Sequence, residues 1–256
     1  MRPDLARFFL PALDPAEILR ENRMTPDPWQ ADFLRCPDRR ILIGAHRQAG
    51  KSTSTAARGL WEAMYHPGAL VLLLSPSQRQ SAELLRKVKS LLPPFKERIR
   101  IASETALQLE LGNGSRVLSL PGDPATIRGY SAPSLVIVDE AAQVKDILFD
   151  AITPMLAVSD GTLLLLSTPF TRRGFFYTEW ERGGTDWTRF EIPVGRGSSR
   201  ISETFLSRER ARMGAKTFAQ EYECRFGDSD EDRKNPRVFG TPDLRSALDS
   251  VFGGAA

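Results

Sequence analysis

Apolar and polar positions along this chain fall into two rhythms, and their alternation predicts the architecture. Ile41 to Ile43 is a short apolar strand, followed by a small-residue loop and a helix with Ala56, Ala57, Leu60, Trp61 and Met64 on one face. His66-Pro67-Gly68 ends that helix. Ala69 to Leu74 is a continuous apolar run bounded by turn residues, as in a strand buried on both faces. Ser81 to Leu92 returns to helical spacing, with Leu84, Leu85, Val88, Leu91 and Leu92 on one side. Leu107, Leu109 and Leu111 then alternate with polar residues, Asn113-Gly114 supplies a tight turn, and Leu118 and Leu120 resume the alternation. That is a β-hairpin signal. Ser134 to Val138 and Leu163 to Leu166 are two more apolar strands, separated by a helix over Asp146 to Leu156. The order predicts an α/β fold with a mainly parallel sheet flanked by helices, a β-hairpin insertion and right-handed crossovers.

The ends of the chain read differently. Residues 1–23 form an N-terminal helical segment, with Asp14-Pro15 opening a helix. Residues 24–192 hold the α/β core. Residues 193–226 form a small helical C-terminal subdomain, with helices at Ser202 to Met213 and Lys216 to Glu223. Residues 227–256 read as a tail, with a solvated charge run from Asp228 to Asn235 and a weak helix near Asp243 to Leu248.

Composition adds boundaries. The chain has 256 residues, 41% hydrophobic and 26% charged, within the range of globular domains. No apolar run approaches the roughly 20 residues of a membrane span, so the expectation is a cytoplasmic protein without membrane contact. Two cysteines, Cys36 and Cys224, lie far apart with no ligand pattern, and two histidines are too few for a histidine metal site. The net charge of +3 is compatible with nucleic acid without indicating it.

The chemistry concentrates at strand ends, where open α/β sheets bind ligands. Ile41 to Thr55 reads strand, loop, Gly50-Lys51-Ser52, helix. This is the layout of a phosphate-binding loop: backbone N–H groups face phosphates, Lys51 adds a mobile charge, and Ser52 offers a hydroxyl to Mg²⁺. The strict pattern requires glycine where Ala45 stands. Ala45, His46, Arg47, Gln48, Ala49, Gly50, Lys51, Ser52 and Thr53 are the candidate ATP-binding residues of the loop. A second strand ends in Asp139-Glu140, suited to a magnesium acid and a water-polarising base. A third ends in Ser167-Thr168-Pro169, whose hydroxyls are placed to sense a γ-phosphate. Upstream, Trp29 can stack on a base and Gln30 can pair with an adenine edge.

The strings HRQAGKST, LVIVDEAA, LLLLSTP and FAQEYECRF occur in that order. On them the chain, from about Thr25 to Phe226, resembles the large terminase subunits of tailed bacteriophages, the motors that pump DNA into capsids. The resemblance implies a P-loop NTPase-type fold and an ATPase using ATP and Mg²⁺. It implies translocation of double-stranded DNA, with a small terminase subunit and a portal protein as partners, a homo-oligomeric ring, and the host cytoplasm as location. Residue by residue, Gln30 beside Trp29 matches the adenine motif, and Arg47 the phosphate-sensing loop arginine. Lys51 and Ser52 keep their loop roles. Asp139 is the magnesium acid, Glu140 the catalytic glutamate, and Ser167-Thr168 part of the coupling motif. Arg128 resembles a finger arginine that completes a neighbouring subunit's site.

Large terminases continue into a nuclease domain. Nothing after Phe226 offers spaced acids for its metals, so no nuclease activity is expected of these residues. Arg172 and Arg173, and a second group of Lys87, Lys89, Arg98 and Arg100, are the candidates for DNA phosphates. Two other readings remain: a helicase-like DNA-dependent ATPase, which would require two α/β cores, and a nucleotide-binding assembly module without motor activity.

Overall fold

The structure is a computed structural model and describes residues 9–195 and 201–227. In chain order its main elements begin with helix α1 (Glu17–Glu21), helix α2 (Pro28–Arg35) and strand β1 (Arg40–Ala45). They continue with helix α3 (Lys51–Tyr65), strand β2 (Leu70–Ser75), helix α4 (Gln78–Ser90), and strands β3 (Ile101–Thr105), β4 (Gln108–Leu111) and β5 (Arg116–Pro121). Then come helix α5 (Pro124–Ile127), strand β6 (Leu135–Asp139), helix α6 (Asp146–Leu156), strand β7 (Thr162–Ser167), helix α7 (Gly174–Arg182), strand β8 (Thr188–Ile192) and helix α8 (Glu203–Tyr222).

One eight-stranded sheet runs β3-β4-β5-β2-β6-β7-β1-β8. The pairs from β5 to β8 are parallel, and β3, β4 and β5 pair antiparallel. The apolar runs are strands buried on both faces, as their composition requires. Ile41, Ile43, Val71, Leu73, Ile137 and Leu164 face a core covered by α1 to α4. Leu42, Leu72, Leu74, Val136, Val138 and Leu165 face the opposite core, with Leu148, Ile152, Phe175 and Phe176 of α6 and α7. The result is three layers, helix–sheet–helix.

Two strands exceed the sequence expectation. The expected hairpin across Asn113-Gly114 forms, but β3 extends it to a three-stranded antiparallel flap, and β5 also pairs in parallel with β2. Every residue of β3 is exposed, so it leaves no apolar signature. β8 is an edge strand beside β1 with a mixed sequence, TRFEI. Helix α8 is two helices joined at Gly214, whose φ of 76° and ψ of 162° interrupt the helix. Its Leu206, Phe218 and Tyr222 form a third apolar cluster with Val194 and Ile201. The expected charge run and the helix near Asp243 lie outside the described residues.

Candidate nucleotide site

Strand β1 lies between β7 and β8, and β7 separates it from β6. This order brings the C-terminal ends of β1, β6 and β7 to one edge of the sheet, where they open into a cleft of about 620 Å³. The loop residues Arg47 to Thr53 form one wall, Glu140 and Gln143 follow β6, and Thr168 to Phe170 follow β7. Gln80 and Lys87 of α4, and Gln220 and Glu221 of α8, complete the lining.

The loop is shaped by its backbone. Gln48 and Gly50 adopt left-handed conformations, with φ of 64° and 89°, and Lys51 then starts α3. Glycine carries that conformation at no steric cost. Gly50 to Thr53, at the N-terminus of α3, border the cleft, an arrangement suited to anions. Lys51 is buried, and its Nζ donates to the carbonyls of Ala45 (2.8 Å) and His46 (3.3 Å) and to Thr168 Oγ1 (3.0 Å). Burial pushes the lysine down from its ordinary range, while the negative charges of Glu140 and Asp139 oppose the shift.

Asp139 ends β6, and Glu140 follows in the left-handed region at φ 53° and ψ 41°. That is a sparse conformation for a residue with a side chain, and such strain gathers at functional sites. The Glu140 N–H donates to Asp139 Oδ1 at 3.0 Å. Burial, then the Glu140 charge, push the Asp139 carboxyl up to about 6, against the pull of Lys51 and Lys87. A cation at this end of the cleft would relieve that cost. Ser52 in the cleft lining and Asp139, which is not itself part of that lining but precedes Glu140 at the end of β6, supply hard oxygen donors. Among the described residues no group of three or more His, Cys, Asp or Glu side chains forms a metal cage. That donor set fits Mg²⁺, which is held by one or two protein oxygens together with nucleotide phosphates.

The remaining expected site residues separate. Ala45 and His46 lie beneath the loop, fully buried, and hold Lys51 through their carbonyls instead of facing the cleft. Ser167 is also buried, and its hydroxyl donates to the Thr168 carbonyl, so of this pair only Thr168 lines the cleft. Trp29 and Gln30 are buried outside the cleft lining. Gln30 Oε1 accepts the Asp27 N–H at 2.8 Å and closes the N-terminal cap of α2. Arg128 is exposed beyond α5 and lines a different cleft with Asp123 and Lys145.

The structure also breaks up the second basic group. Lys89 pairs with Glu104 at 3.4 Å, and Arg98 with Glu21 at 3.8 Å and with the ring of Phe95. Lys87 turns into the cleft instead of joining them. Sequence reasoning missed the cleft roles of Gln80, Lys87, Gln220 and Glu221. The spacing of Gln80 and Lys87, two helical turns apart, was the available signal for the first two.

A family model described as "Terminase large subunit, T4likevirus-type, N-terminal" matches residues 42–244. A probable terminase large subunit of Enterobacteria phage P7 is 30% identical over 145 residues, covering 52% of this chain and 29% of that protein. The match thus spans less than a third of that relative's length. Among solved structures, the ATPase domain of the Thermus phage P74-26 large terminase superposes with a TM-score of 0.67 at 22% identity, covering 82% of this chain and 96% of that one. A large terminase from a thermophilic bacteriophage, solved in complex with ADP, gives 0.65 at 12% identity, covering 79% and 54%. At these identities the two likenesses speak for the fold.

Proposed function

The chain belongs to the family of T4likevirus-type terminase large subunits, matching their N-terminal region, and on that premise we propose that it is an ATP-hydrolysing motor domain that moves double-stranded DNA. The observation that carries the reading is the convergence of Lys51, Glu140 and Thr168 from three strand ends on one cleft. Such a constellation does phosphoryl transfer mainly by positioning and electrostatics.

The β- and γ-phosphates lie along the loop N–H groups, and Lys51 exchanges its carbonyl partners for phosphate oxygens. Ser52 and Asp139 would hold Mg²⁺, which would supply charge neutralisation on the phosphates. Glu140 accepts a proton from the water that attacks the γ-phosphorus in line. The bond from that phosphorus to the β–γ bridging oxygen breaks, ADP leaves carrying the charge on its β-phosphate, and the proton passes from Glu140 to solvent. Arg47 adds a second cation at the loop. Base recognition by Gln30 requires its amide to exchange the Asp27 N–H for adenine, with Trp29 alongside.

Arg128, exposed and away from its own cleft, serves a neighbouring subunit's nucleotide, which makes the working assembly a ring. Double-stranded DNA, a small terminase subunit and a portal protein are the partners of that assembly, and duplex DNA accelerates turnover. Arg172 and Arg173, exposed after the Thr168 loop, contact DNA phosphates. The test is ATP hydrolysis with and without duplex DNA. Lys51→Ala and Glu140→Gln should each reduce turnover to background, and undiminished turnover in both would overturn the reading.

A further inference from the structure

Lys87 is a half-buried lysine that lines the cleft together with the phosphate loop. It shares that wall with Gln80, seven residues earlier on the same face of α4. Its neighbours on the helix are engaged elsewhere: Arg86 pairs with Glu83, and Lys89 with Glu104. Among the described residues the Lys87 ammonium has no hydrogen bond or ion pair. The other two cations of the cleft are already held, Lys51 by carbonyls and Arg47 by Glu221. Lys87 therefore contributes an uncommitted positive charge to a cleft shaped for an anion.

Its position along the cleft identifies which part of the anion it meets. It lines the same cleft as Glu140 and Gln143, which β6 delivers to one end of it. With the phosphate tail of a nucleotide laid along the loop, that is the end of the last phosphate. A cleft of about 620 Å³ admits a nucleotide but not a duplex backbone.

We propose that Lys87 binds the terminal phosphate of a nucleoside triphosphate and makes the cleft discriminate triphosphate from diphosphate. This rests on the nucleotide reading of the same cleft. The test is equilibrium binding of Mg²⁺·ATPγS and Mg²⁺·ADP to the wild type, Lys51→Ala, Lys87→Gln and Lys87→Arg, with melting curves to verify folding. Lys87→Gln should weaken ATPγS binding about tenfold, the scale of one lost charged contact, and ADP binding by less than about twofold. Lys87→Arg, which keeps the charge, should recover most of the ATPγS affinity. An equal loss for both nucleotides, or no loss, overturns the proposal. Unchanged ATPγS affinity with weakened, salt-sensitive duplex DNA binding would return Lys87 to a DNA-contacting role. If the wild type binds neither nucleotide, the nucleotide reading itself falls; if the wild type binds, Lys51→Ala does not and Lys87→Gln matches the wild type, only this inference falls.

Discussion

The Arg47 guanidinium in the phosphate loop is ion-paired with the Glu221 carboxylate near the end of α8, across 174 residues of sequence. The Arg47 N–H also donates to the Glu221 carbonyl at 3.2 Å. The hydrogen bond to Glu221, against the opposing effect of burial, holds Arg47 above its ordinary range. The arginine suited to a nucleotide phosphate is thus committed to the helical C-terminal segment.

Glu221→Gln tests that competition. Arg47 is largely exposed in the pair, and such ion pairs contribute about 0–1 kcal/mol. Releasing it should tighten ATPγS binding by up to about fivefold. Titration of both forms with labelled nucleotide measures it, and weaker binding in the variant would show that the pair supports the site instead of competing.

Thr168→Val removes the oxygen that accepts the Lys51 Nζ hydrogen bond. Lys51 keeps two carbonyl partners, and one such bond is worth about 1 kcal/mol. Nucleotide affinity should stay within about fivefold of wild type. Turnover should fall further than affinity, because Thr168 leads directly into the segment before α7. Parallel measurement of Kd and kcat separates the two, and equal changes would reduce Thr168 to a ground-state contact.

Gly44 in β1 lies against Trp180 of α7. A Cβ there would come within 2.8 Å of the indole ring. Gly44→Ala should cost about 1–3 kcal/mol through overpacking, a fall in Tm of about 2–10 °C for a chain of this size. Trp180→Leu added to Gly44→Ala should recover part of the loss. An unchanged Tm in the single variant would show that α7 moves aside freely.

Burial, then the charge of Glu191, push the Cys224 thiol up to about 12, and its Sγ donates to the Gly44 carbonyl. A thiol raised from 9.0 stays neutral in the folded chain while the unfolded chain ionises. Its contribution to stability is therefore complete below about pH 9 and is lost as pH rises towards 12. At pH 8 the thiolate is scarce, and only the thiolate reacts with alkylating agents. Peptide mass analysis after native iodoacetamide treatment should show Cys224 unmodified at pH 8 and modified after unfolding. Rapid native alkylation would contradict the buried placement.

Much of the sheet was legible because its central strands are apolar on both faces, and that composition has few other uses in a globular domain. β3 was not, since all its residues are exposed, and β8 was not, since an edge strand buries too little to mark its period. The loop, Asp139-Glu140 and Thr168 were legible because they follow strands directly, so finding each strand also located its terminal chemistry. Gln30 was only half legible: its type suits a base, while its place in the helix cap depends on the local turn at Asp27.

The sequence by itself determined the run of strands and helices, the phosphate loop and the acids after β6, because burial and turn chemistry are written locally. Only the tertiary structure decided that β7 stands between β1 and β6, that Glu221 reaches Arg47, and that Lys87 leaves its basic neighbours for the cleft. Those outcomes depend on how distant elements stack and where long side chains find room. Periodicity along one segment carries no information about the partner that packing brings to it from elsewhere in the chain.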